Sequence, residues 1–410
     1  MSHGVGMKLG LPKTSPERPQ GYSRRAHSGI GDDRLRTSGD TTHYFVWIQK
    51  SEVLSWVKPW VPFGVRSKSS AAQHANDRRQ VSLSRRAGSV LVETFFHGIS
   101  GLGRMHPRAV RAMDEVEVIR NVRYGGSGSE GLLDIYRPKG GAHGAKRPAV
   151  LYVHGGGFRM LSKETHWVMA LQFARKGYTV FSINYRLAPQ HRFPAAMEDA
   201  AEAYAWVVAH AKRYGGDASR LILAGESAGA NIVCSLALCS TFEREEALAK
   251  KVFDTGVIPF AVLPACGIFQ VTDTARFRRD DPSMLAIVAE RIEEVGEGYL
   301  DSASTHSTAL ADPLLVYESS VAPVRPIPPF FIPCGTKDPL LADTRRLAKA
   351  LQMRGVDAVE AHYAGVHAFH AFVFRPEARR CWAETHAFLE HRLHAQLDRE
   401  RASLREEGSS

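Results

Sequence analysis

Residues 221–235 read LILAGESAGANIVCS. An apolar run, Leu221-Ile222-Leu223-Ala224, meets Gly225-Glu226-Ser227-Ala228-Gly229 and continues into a small-residue stretch that suits a helix. The pattern predicts a strand, a sharp turn and a helix, with Ser227 at the apex. In a G-x-S-x-G elbow the glycines flank the serine because other backbone passes close to their Cα atoms. The turn holds the hydroxyl clear of the sheet, above a helix N-terminus whose dipole favours developing negative charge. A chain of this length shows such a pentapeptide by chance about one time in seven. Read alone, Ser227 also fits the cap of an ordinary helix, so its chemistry depends on partners elsewhere in the chain.

Upstream, the strand-like run 149–153 is followed by His154-Gly155-Gly156-Gly157-Phe158. Three consecutive glycines let backbone N–H groups turn toward one point, as an oxyanion hole requires. The expected donors are Gly156 and Gly157, joined by Ala228, the residue after the serine. A phosphate cradle is disfavoured, since neither Gly-Lys-Ser/Thr nor G-x-G-x-x-G follows. His154 and Gly155 are expected to support the loop, His154 by hydrogen bonds rather than as a base.

Downstream, the run 330–334 leads into Gly335-Thr336-Lys337-Asp338-Pro339-Leu340, and the run 358–363 into Ala364-Gly365-Val366-His367-Ala368-Phe369-His370. Asp338 and one histidine thus follow later strand ends, on the face expected for Ser227. His367 lies nearer the strand end than His370, which favours it, but the two are three residues apart and both stay open. The order Ser227, Asp338, His367 is that of a hydrolase triad built on an α/β sheet.

Between these sites the sequence alternates: helix 163–176, strand 179–184, helix 195–214, strand 221–224, helix 228–239, strand 257–263, an irregular insert, strand 330–334, helix 342–354, strand 358–363 and a last helix to about residue 399. Continuous apolar strands alternating with helices predict an α/β protein with a mostly parallel central sheet and helices on both faces. Leading strands at 116–124 and 132–136 suit an antiparallel edge, and residues 90–99 and 107–114 read as helices.

Of the 410 residues, 44% are hydrophobic and 23% charged, as in a soluble globular protein. The net charge of +10 is uneven: residues 1–90 hold 15 Lys/Arg against 6 Asp/Glu (+9), and the other 320 hold 38 against 37 (+1). Residues 1–89 read as a basic, disordered extension. Its apolar segment 44–65 is suited to weak contact with the body of the protein or with a membrane surface. No nucleic-acid-binding module is recognisable, so no nucleic-acid partner is expected. A start site further downstream, near Val90 or Met105, is an alternative account of the extension. Residues 400–410 read as a polar tail. The five cysteines (Cys234, Cys239, Cys266, Cys334, Cys381) are dispersed, without C-x-x-C, and suit buried thiols in a reducing compartment. With no 18-residue apolar run and no signal-peptide core, a cytoplasmic location is expected.

Residues 154–158, 225–229, 335–340 and 365–369 together resemble the hormone-sensitive-lipase-like branch of the α/β-hydrolases, carboxylesterases marked by HGGG before a GDSAG-type elbow. Tyr185-Arg186-Leu187-Ala188-Pro189, Phe193-Pro194-Ala195-Ala196 and Glu198-Asp199 add to the likeness, which covers about residues 116–393. This chain departs in Glu226, where Asp is commoner, in Gln190, in Ala368, and in a one-residue-shorter approach to His367. The resemblance implies an α/β-hydrolase domain over 90–399 with a helical cap built from about 90–114 and 266–321. It implies Ser227 as nucleophile, His367 as base, Asp338 as its orienter, and an oxyanion hole of Gly156, Gly157 and Ala228, supported by His154, Gly155 and Glu226. The implied reaction is hydrolysis of short- to medium-chain carboxylic esters through an acyl-enzyme. The partner is a small-molecule ester, with no metal or organic cofactor. An amidase or deacetylase uses the same residues. A ligand-binding receptor is the alternative from another class, but plant receptors on this scaffold have lost the histidine that this chain retains. Oligomeric state is not encoded in these motifs.

Overall fold

A computed structural model of the chain describes residues 98–407, apart from 99, 102, 141–145 and 302–306. The extension 1–89, its apolar segment 44–65 and nearly all of the helix expected at 90–99 lie outside the described residues. The described elements begin with helix α1 (Pro107–Asp114) and the strands β1 (Val116–Arg123) and β2 (Leu132–Pro138). There follow β3 (Arg147–Val153), α2 (Trp167–Ala174), β4 (Thr179–Ile183), α3 (Ala195–His210), β5 (Gly216–Glu226), α4 (Ala228–Thr241) and α5 (Ala247–Phe253). After β6 (Ala261–Ala265) come three helices, α6 (Arg276–Asp280), α7 (Ala286–Tyr299) and α8 (Pro313–Glu318). The chain ends with β7 (Phe330–Gly335), α9 (Leu341–Met353), β8 (Ala358–Tyr363) and α10 (Pro376–Glu407).

The eight strands form one sheet in the order β1-β2-β4-β3-β5-β6-β7-β8. β2 runs antiparallel to β1 and β4, and every other pairing is parallel, which is the expected antiparallel edge on a parallel sheet. Alternation along the strands divides the core in two. Leu151, Phe181, Leu221 and Leu223 pack with α3, α4 and α9, whereas Val150, Tyr152, Val180 and Ile222 pack with α2 and α10. Helices therefore cover both faces, as continuous apolar strands require. β3 lies at the centre with β4 on one side and β5 on the other, so the chain reverses its winding direction there. The loops at the C-terminal ends of β3 and β5 flank a topological switch point, the place where α/β sheets bind ligands.

α4 is buried along its whole length, from Ala228 to Thr241. Its apolar sequence allows this, and most of its polar side-chain atoms find nearby carbonyls: Asn231 Nδ2 donates to those of Ile268 and Ala311, both at 2.8 Å, and Ser235 Oγ to that of Leu310 at 2.8 Å, while Asn231 Oδ1 has no partner among the described residues. All five cysteines are free and buried.

Several boundaries differ from expectation, β5 among them, which begins at Gly216 rather than 221, and three others are instructive. The strand expected at 257–263 starts only at Ala261, because Pro259 has no N–H and the Val257 carbonyl accepts from the Tyr204 hydroxyl at 2.7 Å. The helix expected from 163 starts at Trp167, since the Lys163 N–H is taken by Asn184 Oδ1 (2.8 Å) and the Ser162 N–H by Thr165 Oγ1 (3.1 Å). The last helix continues to Glu407, so most of the segment read as a polar tail is helical. Among the described residues no helix is long and apolar enough to cross a membrane.

Candidate active site

β5 ends at Glu226 and α4 begins at Ala228, leaving Ser227 between them with φ 55° and ψ −117°. A non-glycine residue there is strained, by about 1–3 kcal/mol for such conformations in general. The elbow is held by packing: a Cβ on Gly225 would come within 2.7 Å of Gly229 backbone, and one on Gly229 within 2.1 Å of the Val153 carbonyl oxygen. Those clashes are the physical reason that glycines flank the serine. The Ser227 N–H donates to the Ala265 carbonyl at 3.0 Å, tying the turn to the end of β6.

Asp338 lies in the loop after β7 and His367 in the loop after β8. The loops interlock, with the Thr336 N–H donating to Tyr363 (2.8 Å) and the Lys337 N–H to Gly365 (2.9 Å). The Leu340 N–H donates to Asp338 Oδ1 at 2.8 Å. His367 Nδ1 is 2.9 Å from Asp338 Oδ2 and 3.1 Å from Oδ1, and His367 Nε2 is 3.0 Å from Ser227 Oγ. Nδ1 faces an acceptor-only carboxylate, so the neutral ring carries its proton there and turns the Nε2 lone pair to the serine hydroxyl. Asp338 is sealed from solvent while 37% of the His367 side chain remains exposed, so the far end of this hydrogen-bonded chain is reachable. Burial disfavours the His367 imidazolium, but the charge and hydrogen bond of Asp338 outweigh burial and raise its pKa above the ordinary histidine value.

His370 occupies a different environment. Ala368 adopts φ 53°, reversing the chain between the two histidines, and residues 369–371 form a single 3₁₀ turn. The His370 ring is buried beside Phe369 and Trp382, and its Nδ1 has no hydrogen-bond partner among the described residues. Burial, with the charges of His367 and His166, pushes its pKa down to about 4. The geometry links Ser227 and Asp338 through His367 and leaves His370 packed behind them.

The glycine loop is brought alongside by register, Val153 pairing with Gly225 across β3 and β5. Gly156 has φ +109°, open to glycine but strained for other residues, and a Cβ there would meet the Met160 carbonyl oxygen at 2.1 Å. Among the described residues no acceptor is taken by the N–H groups of Gly156 or Gly157. Ala228 opens its helix and so has no carbonyl one turn earlier to bond. His154 is buried, with Nδ1 2.7 Å from the Gly155 carbonyl and its ring stacked on Tyr185 at 4.3 Å. The Tyr185 hydroxyl donates to the His154 carbonyl at 2.9 Å. Burial, then the charge of His166, lowers the pKa of His154 to about 3, keeping it neutral.

Glu226 is buried, accepts the Gly155 N–H at 2.6 Å and the Tyr152 hydroxyl, and lies 2.7 Å from His166 Nε2. Tyr152 and His166 were not singled out from the sequence. Tyr152 reads as one more apolar residue of β3, and His166 as a lone histidine inside the helix expected over 163–176. Beyond the loop, Phe158 stacks on Tyr299 at 3.7 Å and Arg159 Nη1 donates to the Glu294 carbonyl at 3.2 Å, which sets α7 against the glycines. A Cβ on Gly157 would meet Val295 Cγ2 at 2.9 Å.

One group of potential metal ligands occurs among the described residues: Cys266, Asp338 and His367, whose ligand atoms all lie within 4.8 Å of one another. Asp338 and His367 are already joined to each other and, through His367, to Ser227. Burial, with the negative charge of Asp338, pushes the Cys266 thiol well above its usual range. The group is a hydrogen-bonded acid and base beside a protonated thiol.

A mostly parallel sheet whose fifth strand turns through a serine elbow into a buried helix, with an aspartate and a histidine after the last two strands, defines an α/β-hydrolase. Residues 150–373 match the family described as α/β hydrolase fold, and mouse hormone-sensitive lipase is 37% identical over 111 residues, 27% of this chain and 15% of that lipase. The chain belongs to this family, in its hormone-sensitive-lipase-like branch. The esterase LipQ of Mycobacterium tuberculosis is 28% identical over 258 residues, 62% of this chain and 56% of LipQ. A hyperthermophilic esterase from the archaeon Pyrobaculum calidifontis is similar with a TM-score of 0.58 at 27% identity, covering 74% of this chain and 91% of its own. The chain thus spans 56% or less of the length of these two curated relatives.

Proposed function

We propose that this protein is a serine carboxylesterase that hydrolyses short- to medium-chain esters of small molecules. The observation that carries the reading is the hydrogen-bonded line from Asp338 through His367 to Ser227 Oγ, with steps of 2.9 and 3.0 Å, at a strained elbow beside two glycine N–H groups. The names of the related esterases support the same reaction class.

In this reading His367 takes the Ser227 proton as the hydroxyl attacks the ester carbonyl. The negative charge that forms on the carbonyl oxygen is held by the N–H groups of Gly156, Gly157 and Ala228. Asp338 fixes the His367 tautomer and stabilises the imidazolium. His367 then protonates the leaving alcohol, and water releases the acyl group by the same route. The hydrolase domain spans about 90–399, with cap elements at about 90–114 and 266–321. The position of α7 against the glycine loop supports its assignment to the cap, and Val295 is then a wall of the substrate pocket.

A closed wall limits acyl length. Across p-nitrophenyl esters from acetate to dodecanoate, kcat/KM is expected to peak at short or medium chains and to fall by about tenfold or more at dodecanoate, the scale of a few misfitted methylenes. A profile still rising at dodecanoate contradicts the short-chain assignment. Faster cleavage of the matching p-nitroanilide contradicts the ester assignment.

A further inference from the structure

Beneath the glycine loop the site contains a charge that the hydrolytic mechanism does not use. Glu226 immediately precedes Ser227, and Oε1 of its buried side chain accepts the Gly155 N–H at 2.6 Å. The carboxylate therefore anchors the loop that carries Gly156 and Gly157. A lone carboxylate at this spot also opposes the negative oxygen those glycines are there to hold. The Glu226 carboxylate is buried, so such a repulsion is weakly screened.

The opposing charge has a partner, and hydrogen-bond direction identifies its state. His166, immediately before α2, places Nε2 2.7 Å from Glu226 Oε1. Its Nδ1 is 3.0 Å from the Ser162 carbonyl and 2.8 Å from Thr165 Oγ1. Thr165 Oγ1 itself donates to the Ser162 carbonyl at 2.7 Å, so it turns a lone pair toward His166. Both ring nitrogens thus face acceptors, and an imidazole that donates from both is an imidazolium. The other titratable groups around the pair are Tyr152, which donates to Glu226, His154, stacked 5.5 Å from His166, and Tyr185, Cys266, His367 and His370, all within reach of the Glu226 charge. Burial opposes the charged form of each partner, but their mutual attraction outweighs it: Glu226 is held at about 2 and His166 is raised.

We propose that His166 is a positioning residue of the reaction: its imidazolium, paired with Glu226, lets a carboxylate anchor the oxyanion loop without opposing the charge that the loop stabilises. The proposal rests on the esterase reading of Ser227. It differs from a packing role because it concerns net charge, and that difference can be measured.

His166→Gln keeps a side chain able to donate to Glu226 but removes the positive charge. It is expected to lower kcat on p-nitrophenyl acetate by about 10²-fold, the scale of one lost oxyanion donor, with KM within about threefold. Glu226→Gln added to it restores neutrality, and the double variant is expected to recover about tenfold of that loss. Unchanged kcat in His166→Gln, or a double variant worse than the single, overturns the proposal. ¹⁵N NMR of the wild-type histidine side chains keeps the test open if a variant fails to fold. Two pyrrole-like, imidazolium nitrogens on His166 at pH 7.5 are expected, and one pyridine-like nitrogen overturns the proposal. Labelling of wild type by diethyl p-nitrophenyl phosphate separates the two readings. A wild type that neither labels nor hydrolyses esters counts against Ser227, whereas an active, labelled wild type with an unaffected His166→Gln counts against His166 alone.

Discussion

Ser227→Ala is expected to lower kcat on p-nitrophenyl acetate by about 10⁴- to 10⁶-fold with KM changed only a few-fold, as loss of a serine nucleophile does elsewhere. The expectation follows from where the oxygen sits. Ser227 Oγ is the one atom placed both 3.0 Å from His367 Nε2 and at the start of the buried helix, beside the glycine donors. Removing it leaves the loop, the histidine and the pocket in place, so substrate binding survives while the attacking group is gone. The residual rate reports what the glycine N–H groups and binding accomplish alone, about 10³- to 10⁴-fold over water in comparable enzymes. Steady-state kinetics with burst-free controls check this. A variant within tenfold of wild type removes Ser227 from the mechanism.

Asp338→Asn is expected to cost about 10⁴ in kcat, with the fold intact. The exchange is nearly isosteric at a position sealed from solvent, so the effect is electronic. Asp338 Oδ1 accepts the Leu340 N–H at 2.8 Å, and that bond requires the amide oxygen of an asparagine to occupy the same place. The amide NH₂ then takes the position of Oδ2, 2.9 Å from His367 Nδ1. A donor there selects the tautomer with Nδ1 bare and the proton on Nε2. That proton points at Ser227 Oγ, and the ring can no longer accept the serine's hydrogen. The loss is therefore expected in kcat and kcat/KM together. Asp338→Asn activity within tenfold of wild type contradicts the role given to Asp338.

The elbow was legible because its constraint is local. Two close approaches, of Gly229 backbone to Gly225 and of the Val153 carbonyl to Gly229, require glycine at both ends of five consecutive residues, and the Ser227 N–H bond to the Ala265 carbonyl ties their middle to β6. The sheet was legible for a related reason, since strands buried on both faces leave continuous apolar runs such as 149–153 and 221–224. What the sequence left open depends on backbone reversals and distant contacts. His367 and His370 look alike three residues apart, and only the positive φ of Ala368 sends one ring to Asp338 and the other into the core beside Trp382. The Glu226–His166 pair joins residues 60 positions apart across the sheet, and neither has a neighbour that announces the other. The late start of β6 turned on a single proline and a tyrosine hydroxyl from α3, a competition for one carbonyl that periodicity does not register.

The central claim is that one serine is activated by one histidine. The most direct measurement is the site and rate of labelling by diethyl p-nitrophenyl phosphate, followed by mass spectrometry of the digested protein, in wild type, His367→Ala and His370→Ala. One label per chain is expected, on the peptide containing Ser227, formed at comparable rates in wild type and His370→Ala and slowed by about 10³-fold or more in His367→Ala, the scale of general-base and nucleophile activation. A label on any other residue, or equal rates with and without His367, contradicts the claim.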